Sequence, residues 1–473
     1  METLQRTANR GSISTGFDID NSLKLEEDNT EYLHFTPSSQ TDYERMTFSI
    51  WIKRTELNNG SGATRLAEFG NGTANTTNLR ILFDSNDKLG IYGNSIVWRL
   101  STQSFRDTSA WYHLFFKFDT TQGTSNDRIR VWVNGQMIAH TDYDTVNNPG
   151  SGTAMGFNRT NAQTIGQQQE GGVSANNGFN GYIAQAWGSG GTPPDVTDFG
   201  ETDSDSGIWK PIDISEVSIP DSNGFFLDFS DSSDLGNDSS SNNNDFTLVN
   251  ITAADQATDT PTNNFSVLNG LHRVPDTTRK EGLTTTVKNN NGWRTLVSTL
   301  GVSSGKWYFE LSAGSEYTII GVAGDAVYGG GGTWENYLGS LTGSLGYYGN
   351  SATFFQDGVD KSPTNVATFV ADDIVGLALD VDNGKAYFHK NGTYQNSANP
   401  NTSTNGYTIT GDAPYFLGLS TYQQSDQCEV NYGGYHVYSI SSGNSDANGY
   451  GNFEYAPPSG YYALCSKNIA EFG

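Results

Sequence analysis

The residues able to do chemistry are spread through this chain in ways that exclude most chemistries. Its six histidines, His34, His113, His140, His272, His389 and His436, include no two at the i, i+2 or i, i+4 spacing of metal ligands, and no triad pattern surrounds them. A glycoside-cleaving site needs two carboxylates facing one cleft. The nearest arrangement is Glu201-Thr202-Asp203-Ser204-Asp205, whose alternate carboxylates would share one face of a strand. Polar residues separate them and Gly200 and Gly207 flank them, so the run reads as a solvated turn. No phosphate loop, nucleophile elbow or paired Cys-x-x-Cys is present, and the glycine run Gly329–Gly332 lacks a strand-to-helix context, so it reads as a surface loop. The chain is expected to have no catalytic residues.

Two non-catalytic chemistries have candidate residues. Hard oxygen ligands on turns suit calcium. The densest oxygen cluster holds Asp231, Asp234, Asp238 and Asp245, with Asp228, Asn242 and Asn244 close by. It lacks the DxDxDG spacing of a calcium loop, so a simple solvated loop stands beside the calcium reading. Saccharide binding needs flat aromatic faces and polar side chains. The stretch from Tyr328 to Phe355 is rich in both aromatics and glycines. Trp334 and Tyr337, on the glycine-rich loop, are the leading ligand-binding candidates, with Tyr328 and Tyr347 beside them. A second aromatic cluster is Tyr432, Tyr435, Tyr438 and Tyr450.

The elements that would position these residues are strands. Only 35% of residues are apolar but 12% are aromatic, and no long stretch places apolar residues at helical spacing. In Asp372–Gly392, Val375, Leu377, Leu379 and Val381 alternate with small or acidic residues, which is a strand with one buried face. Asn383-Gly384 predicts a tight two-residue hairpin turn, and Asn391-Gly392 and Asn134-Gly135 repeat the signal. Phe48, Ile50 and Ile52 share a face, as do Tyr112, Leu114, Phe116 and Phe118, and then Ile129, Val131 and Val133. The fold expected is all-β: two tandem antiparallel β-sandwiches joined by a polar connector. The boundaries read as an arm at 1–16, a first sandwich at 17–189, a connector with docked strands at 190–279 and a second sandwich at 280–473.

The formal charge is −26, from 52 acidic and 26 basic residues, which opposes tracking of a phosphate backbone and so excludes nucleic acid as a partner. No apolar run approaches the ~20 residues that span a bilayer, so no membrane insertion is expected. The opening METLQRTANRGSISTG has no apolar centre and reads as no signal peptide. The two cysteines, Cys428 and Cys465, read as buried free thiols, with a disulfide as the alternative.

These segments carry two resemblances. The "FSIWIK" strand, the "WYHLFF" strand, the "IRVWVNG" hairpin and Gly181–Trp187 together resemble a laminin-G-like, concanavalin-like sandwich. "KWYFE", "IGVA" and "DDIVGLALDVDNGKAYFHKNG", followed by APYFLGLST, resemble a SPRY domain, a β-sandwich binding module. The pairing, with the linker "FGETDSDSGIWKP" and the tail "FEYAPPSGYYALC", is similar to virion proteins of marine bacterial viruses. That similarity implies a non-enzymatic phage structural protein in the virion, a tail-fibre, spike or head-fibre subunit. Its expected partners are other virion proteins, host cell-surface polysaccharide and further copies of itself, a trimer being common in such fibres. A capsid or tail decoration subunit with a purely structural role is the alternative.

Overall fold

A computed structural model describes residues 16–58, 62–70, 78–93, 96–167, 177–191, 194–272, 274–325 and 335–473. The chain is built almost wholly from antiparallel strands, with a short α-helix, Ser466–Phe472, at its end. It divides into two compact units, one within Ser14–Thr262 and one within Asn263–Gly473. Of the polar stretch 190–279, the residues up to Thr262 therefore belong to the first unit and those from Asn263 to the second.

In the first unit two eight-stranded sheets face each other. One runs through Ile129–Val133, Trp111–Asp119, Arg45–Arg54, Gly181–Gly190 and Ser22–Leu25. The other runs through Ile96–Ser104, Lys88–Gly93, Leu79–Phe83, Thr64–Phe69 and Tyr32–Phe35. Phe48, Ile50, Ile52, Leu114, Phe116, Phe118, Ile129 and Val131 form the inner face, as the period of two requires. The low-complexity connector joins both sheets: Phe225–Leu227 pairs with Gly181–Gly190, and Thr247–Val249 pairs with Tyr32–Phe35.

The outer face of the first sheet is buried too, which alternation alone does not predict. Phe115 and Trp187 pack under Phe199, Ile214 and Phe226, and Trp51 packs with Ile19 and Trp209. The polar residues at alternate positions therefore need partners inside the protein. Lys53 pairs with Asp259 at 2.6 Å, and Lys24 meets Glu31 and Asp255 at 3.0 and 2.9 Å. His113 stacks on Trp51, with ring centroids 4.8 Å apart, and meets Trp209 nearly in plane at 5.9 Å. Its Nδ1 accepts from Trp209 Nε1 at 3.0 Å, so Nε2 carries the proton and donates to Ser49 Oγ at 2.8 Å. Burial pushes this imidazole down to about 3, and it stays neutral.

Of the run Glu201–Asp205, expected as a solvated turn, Ser204 and Asp205 lie exposed in a turn, while Glu201 and Thr202 end the short strand Gly200–Thr202 that pairs with Trp209–Pro211. Lys210 Nζ lies 3.2 Å from Glu201 and 3.3 Å from Asp203, while Asp203 also accepts the backbone N–H groups of Asp205 and Ser206. The two acids on this hairpin hold each other through one lysine.

The second unit is a sandwich of a nine-stranded and a six-stranded sheet. The first contains Gln427–Asn431, Lys306–Ser312, Ile374–Asp380 and Lys385–Lys390; the second contains Arg294–Val302, Tyr415–Thr421, Thr318–Ala323, Ser344–Tyr348 and Thr353–Gln356. Trp307, Phe309, Leu377, Leu379, Ile320, Leu345 and Leu419 fill the space between them. Asn134-Gly135 and Asn391-Gly392 have positive φ at both residues and link directly paired strands, as expected of tight hairpins. Asn383-Gly384 differs. Asp380 pairs with Lys385, so the loop holds four residues, and only Gly384 has positive φ. The Asp380 carboxylate takes over, accepting from Asn383 N and Nδ2 at 3.0 and 2.9 Å.

Glu310 is the most heavily hydrogen-bonded carboxylate of the nine-stranded sheet. Its Oε1 accepts from Tyr308 Oη and Tyr455 N, and its Oε2 from Tyr438 Oη and Glu454 N, at 2.8–2.9 Å. Tyr308 Oη in turn accepts from His389 Nε2 at 2.6 Å, because His389 Nδ1 is occupied by Gly392 N–H. Burial pushes the Glu310 carboxyl up, while the four donors pull it down. Through them the chain around Glu454 is fastened to the sheet.

Candidate functional site: an aromatic platform on the SPRY-like sandwich

The outer face of the six-stranded sheet is shaped by missing side chains. Gly418 pairs with Gly321, and Gly321 with Gly346, so three glycines lie side by side across neighbouring strands. Leu338 sits over this trough. A Cβ on Gly346 would lie 2.3 Å from the Leu338 carbonyl oxygen, and one on Gly321 3.2 Å from Leu338 Cβ. The segment carrying Leu338 is tied down at several points. Leu338 N–H donates to Ser420 Oγ at 2.9 Å, Gly339 N–H to Ser344 Oγ at 2.8 Å, and Thr295 Oγ1 to the Asn336 carbonyl at 2.7 Å.

Around this seat six aromatic rings meet: Trp293, Tyr317, Tyr337, Tyr348, Phe355 and Tyr422. Trp293 is the hub, with ring centroids 5.0 Å from Tyr337, 5.6 Å from Tyr348 and 5.3 Å from Tyr422. Tyr337 extends the patch to Phe355 at 5.4 Å, and Tyr422 extends it to Tyr317 at 6.2 Å. Tyr422 is 38% exposed and the other five are half-buried. Buried Ile319, Ala323 and Leu338 form the floor. The arrangement offers a firm, amphipathic surface that can stack on a flat apolar ligand face while polar ring edges reach water.

Tyr337 is thus placed in the platform. Trp334 and Tyr328 lie outside the described residues, as does the glycine run Gly329–Gly332. Tyr347 requires correction as a ligand-binding candidate. It is fully buried, stacked on Phe354 at 4.6 Å and edge-on to Phe369, and its hydroxyl donates to the Ala367 carbonyl. The pleat sends Tyr347 inward and its neighbour Tyr348 outward. Of the second cluster, Tyr432 and Tyr435 are buried, Tyr438 is half-buried and held by Glu310, and Tyr450 is half-buried under the Lys467 ammonium. Trp293, Tyr317 and Tyr422 were not singled out from the sequence. Each stands alone beside a polar turn, and only the sheet brings them together.

The Asp-rich turn presents a different geometry from a cation cage. Asp238 Oδ1 accepts from Phe226 N and Ser240 N, and its Oδ2 from Ser240 Oγ and Asn244 N, all within 3.0 Å. Asp231 accepts from Ser233, Asp234 from Gly236 N, and Asp245 from Asp238 N. These carboxylates close successive turns of the chain, each pointed at its own backbone donors. Among the described residues no group of three or more His, Cys, Asp or Glu is gathered around a common point. Cys428 and Cys465 are free and buried.

Comparison with known proteins gives two domain matches. Residues 27–187 match the laminin-G-type family of the concanavalin A-like lectin/glucanases superfamily, and residues 306–434 match the SPRY domain. The chain therefore carries a concanavalin A-like domain followed by a SPRY domain. Similar solved structures include the SPRY domain of human HERC1 (17% identity, 33% of this chain and 93% of that one, TM-score 0.27). A second human SPRY domain is 14% identical over 33% of this chain and 95% of that one, with TM-score 0.26. A heptameric SAP-like pentraxin from Limulus polyphemus is 16% identical over 37% of this chain and 80% of that one, with TM-score 0.25. No curated protein matches the chain.

Proposed function

We propose that this chain is a non-catalytic binding protein whose SPRY domain holds saccharide on the Trp293 platform. The observation that carries this reading is the gathering of six rings from distant parts of the sequence onto one firm surface, with Tyr422 38% exposed. The C–H faces of a pyranose ring stack on such a surface, and a single platform binds weakly. Weak contact becomes useful when many copies share one particle. The similarity of the domain pairing to marine phage virion proteins supplies the setting: a fibre or spike subunit touching the polysaccharide of a host bacterium. The acids of the Gly200–Pro211 hairpin are engaged by Lys210, which favours a non-enzymatic role.

Binding of the purified full chain to host cells, with and without surface polysaccharide, tests this reading. Binding that disappears on stripping, and weakens at least tenfold in Trp293→Ala, is expected. Binding indifferent to both would refute it. Aromatic enrichment also marks protein interfaces. A chain that ignores cells but binds virion shells through the same tryptophan is a decoration subunit instead.

A further inference from the structure

We infer that the platform selects saccharides by charge, preferring amine-bearing over neutral sugars and excluding acidic ones; this rests on the saccharide reading above. The argument is electrostatic. Aromatic faces carry negative quadrupole potential and attract cations. The formal charges that surround the rings reinforce this. Glu316 precedes Tyr317, and its carboxylate acts on the Tyr348 ring. Glu335 is exposed two residues before Tyr337.

The cations nearest in the chain are turned to other tasks. Arg294 donates to the Trp293 and Pro275 carbonyls at 2.7 and 3.0 Å and pairs with Asp276. Lys288 donates to the carbonyls of Asp276 and Asn290. No described hydrogen bond or ion pair directs either cation at a platform ring. A chain of net charge −26 adds a long-range field of the same sign. An acidic polymer therefore meets repulsion at distance, with Arg294 and Lys288 engaged elsewhere, whereas a protonated amino sugar gains from the long-range field and from the ring faces.

Three probes of one length separate these effects: chitosan hexamer at a pH where its amines are protonated, the N-acetylglucosamine hexamer, and hexagalacturonate. Isothermal titration of the full chain is expected to rank them in that order. The protonated hexamer should bind about two- to five-fold tighter than the acetylated one, the size of an exposed cation–π contact. The gap should narrow as salt rises. Glu316→Gln is expected to reduce it, and Trp293→Ala and the rim variant Tyr422→Ala to weaken binding of both hexamers.

Equal affinity of the two glucosamine hexamers overturns the charge preference. Hexagalacturonate binding as well as the acetylated hexamer, but still lost in Trp293→Ala and Tyr422→Ala, overturns this inference and leaves the platform as a saccharide site. No binding of any probe, or binding indifferent to both aromatic variants, overturns the saccharide reading and this inference with it.

Discussion

Replacing Glu310 by glutamine changes shape hardly at all and should still cost the SPRY domain about 2–4 kcal/mol. Each carboxylate oxygen takes one phenol and one backbone N–H, at 2.8–2.9 Å. A phenol can rotate its hydrogen away from a new donor; a backbone N–H cannot. Whichever way the carboxamide turns, its NH2 must face either Tyr455 N–H or Glu454 N–H. One bond to a charged acceptor is lost, at about 1.5–3 kcal/mol, and a buried donor is left unmatched, at about 1–3 kcal/mol. The two overlap, because they describe the same N–H, so the total stays near the lower sums. For a unit of this size each kcal/mol shifts the melting temperature by about 2–4 °C, so a fall of roughly 4–16 °C is expected by calorimetry. Only the transition of the Asn263–Gly473 unit should move. An unchanged or raised melting temperature in Glu310→Gln would show that the four donors do not converge on a carboxylate and would refute the clamp.

Three further outcomes are expected. Gly346→Ala forces a Cβ to within 2.3 Å of the Leu338 carbonyl and 2.6 Å of Ile319 Cγ2. It should destabilise the SPRY domain by about 1–3 kcal/mol in a urea titration and displace Tyr337, weakening binding at the platform. Glu27 is half-buried beside Glu56 and Asp28, and burial first, then these charges, push its carboxyl up to about 7. Its folded value exceeds its unfolded one, so folding takes up a proton and stability falls as pH rises between about 4.5 and about 7. Discounted for its solvent exposure, the contribution is about 1–2 kcal/mol. Melting temperatures across that range should decline in the parent and flatten in Glu27→Gln, and equal slopes would exclude Glu27 as the cause. Burial pushes the Cys428 thiol up to about 11 and Cys465 up to about 12. Neither should take up iodoacetamide in the folded protein, and both should after denaturation, as read by mass spectrometry.

Much of the architecture follows from local chemistry. Alternation in Arg45–Arg54, Trp111–Asp119 and Ile374–Asp380 determines which residues face each core, because a strand inverts its side chains at every step. Asn134-Gly135 and Asn391-Gly392 determine their own turns, since few other pairs hold two positive φ angles. Asn383-Gly384 carries the same dipeptide and forms a longer loop. There the pairing register, which ends at Asp380 and Lys385, decides.

The candidate site was legible only in part. Tyr337 could be read from its glycine-rich surroundings, but Tyr347 and Tyr348 look alike in sequence and differ only in the face the pleat gives them. Trp293 and Tyr422 belong to turns more than a hundred residues apart that meet across the sheet edge. The second buried face of the concanavalin-like domain escaped local reading for a related reason. Thr47, Ser49 and Lys53 are polar residues in solvent-facing strand positions, and they become interior because residues 196–259 fold over them and bring Asp259 to Lys53. Composition and period thus determined the strands, the two sandwiches and their cores by themselves, since each depends on neighbours one or two residues away. Which aromatic residues share a surface, and which polar ones are buried, depended on contacts across hundreds of residues that only the folded sheets create.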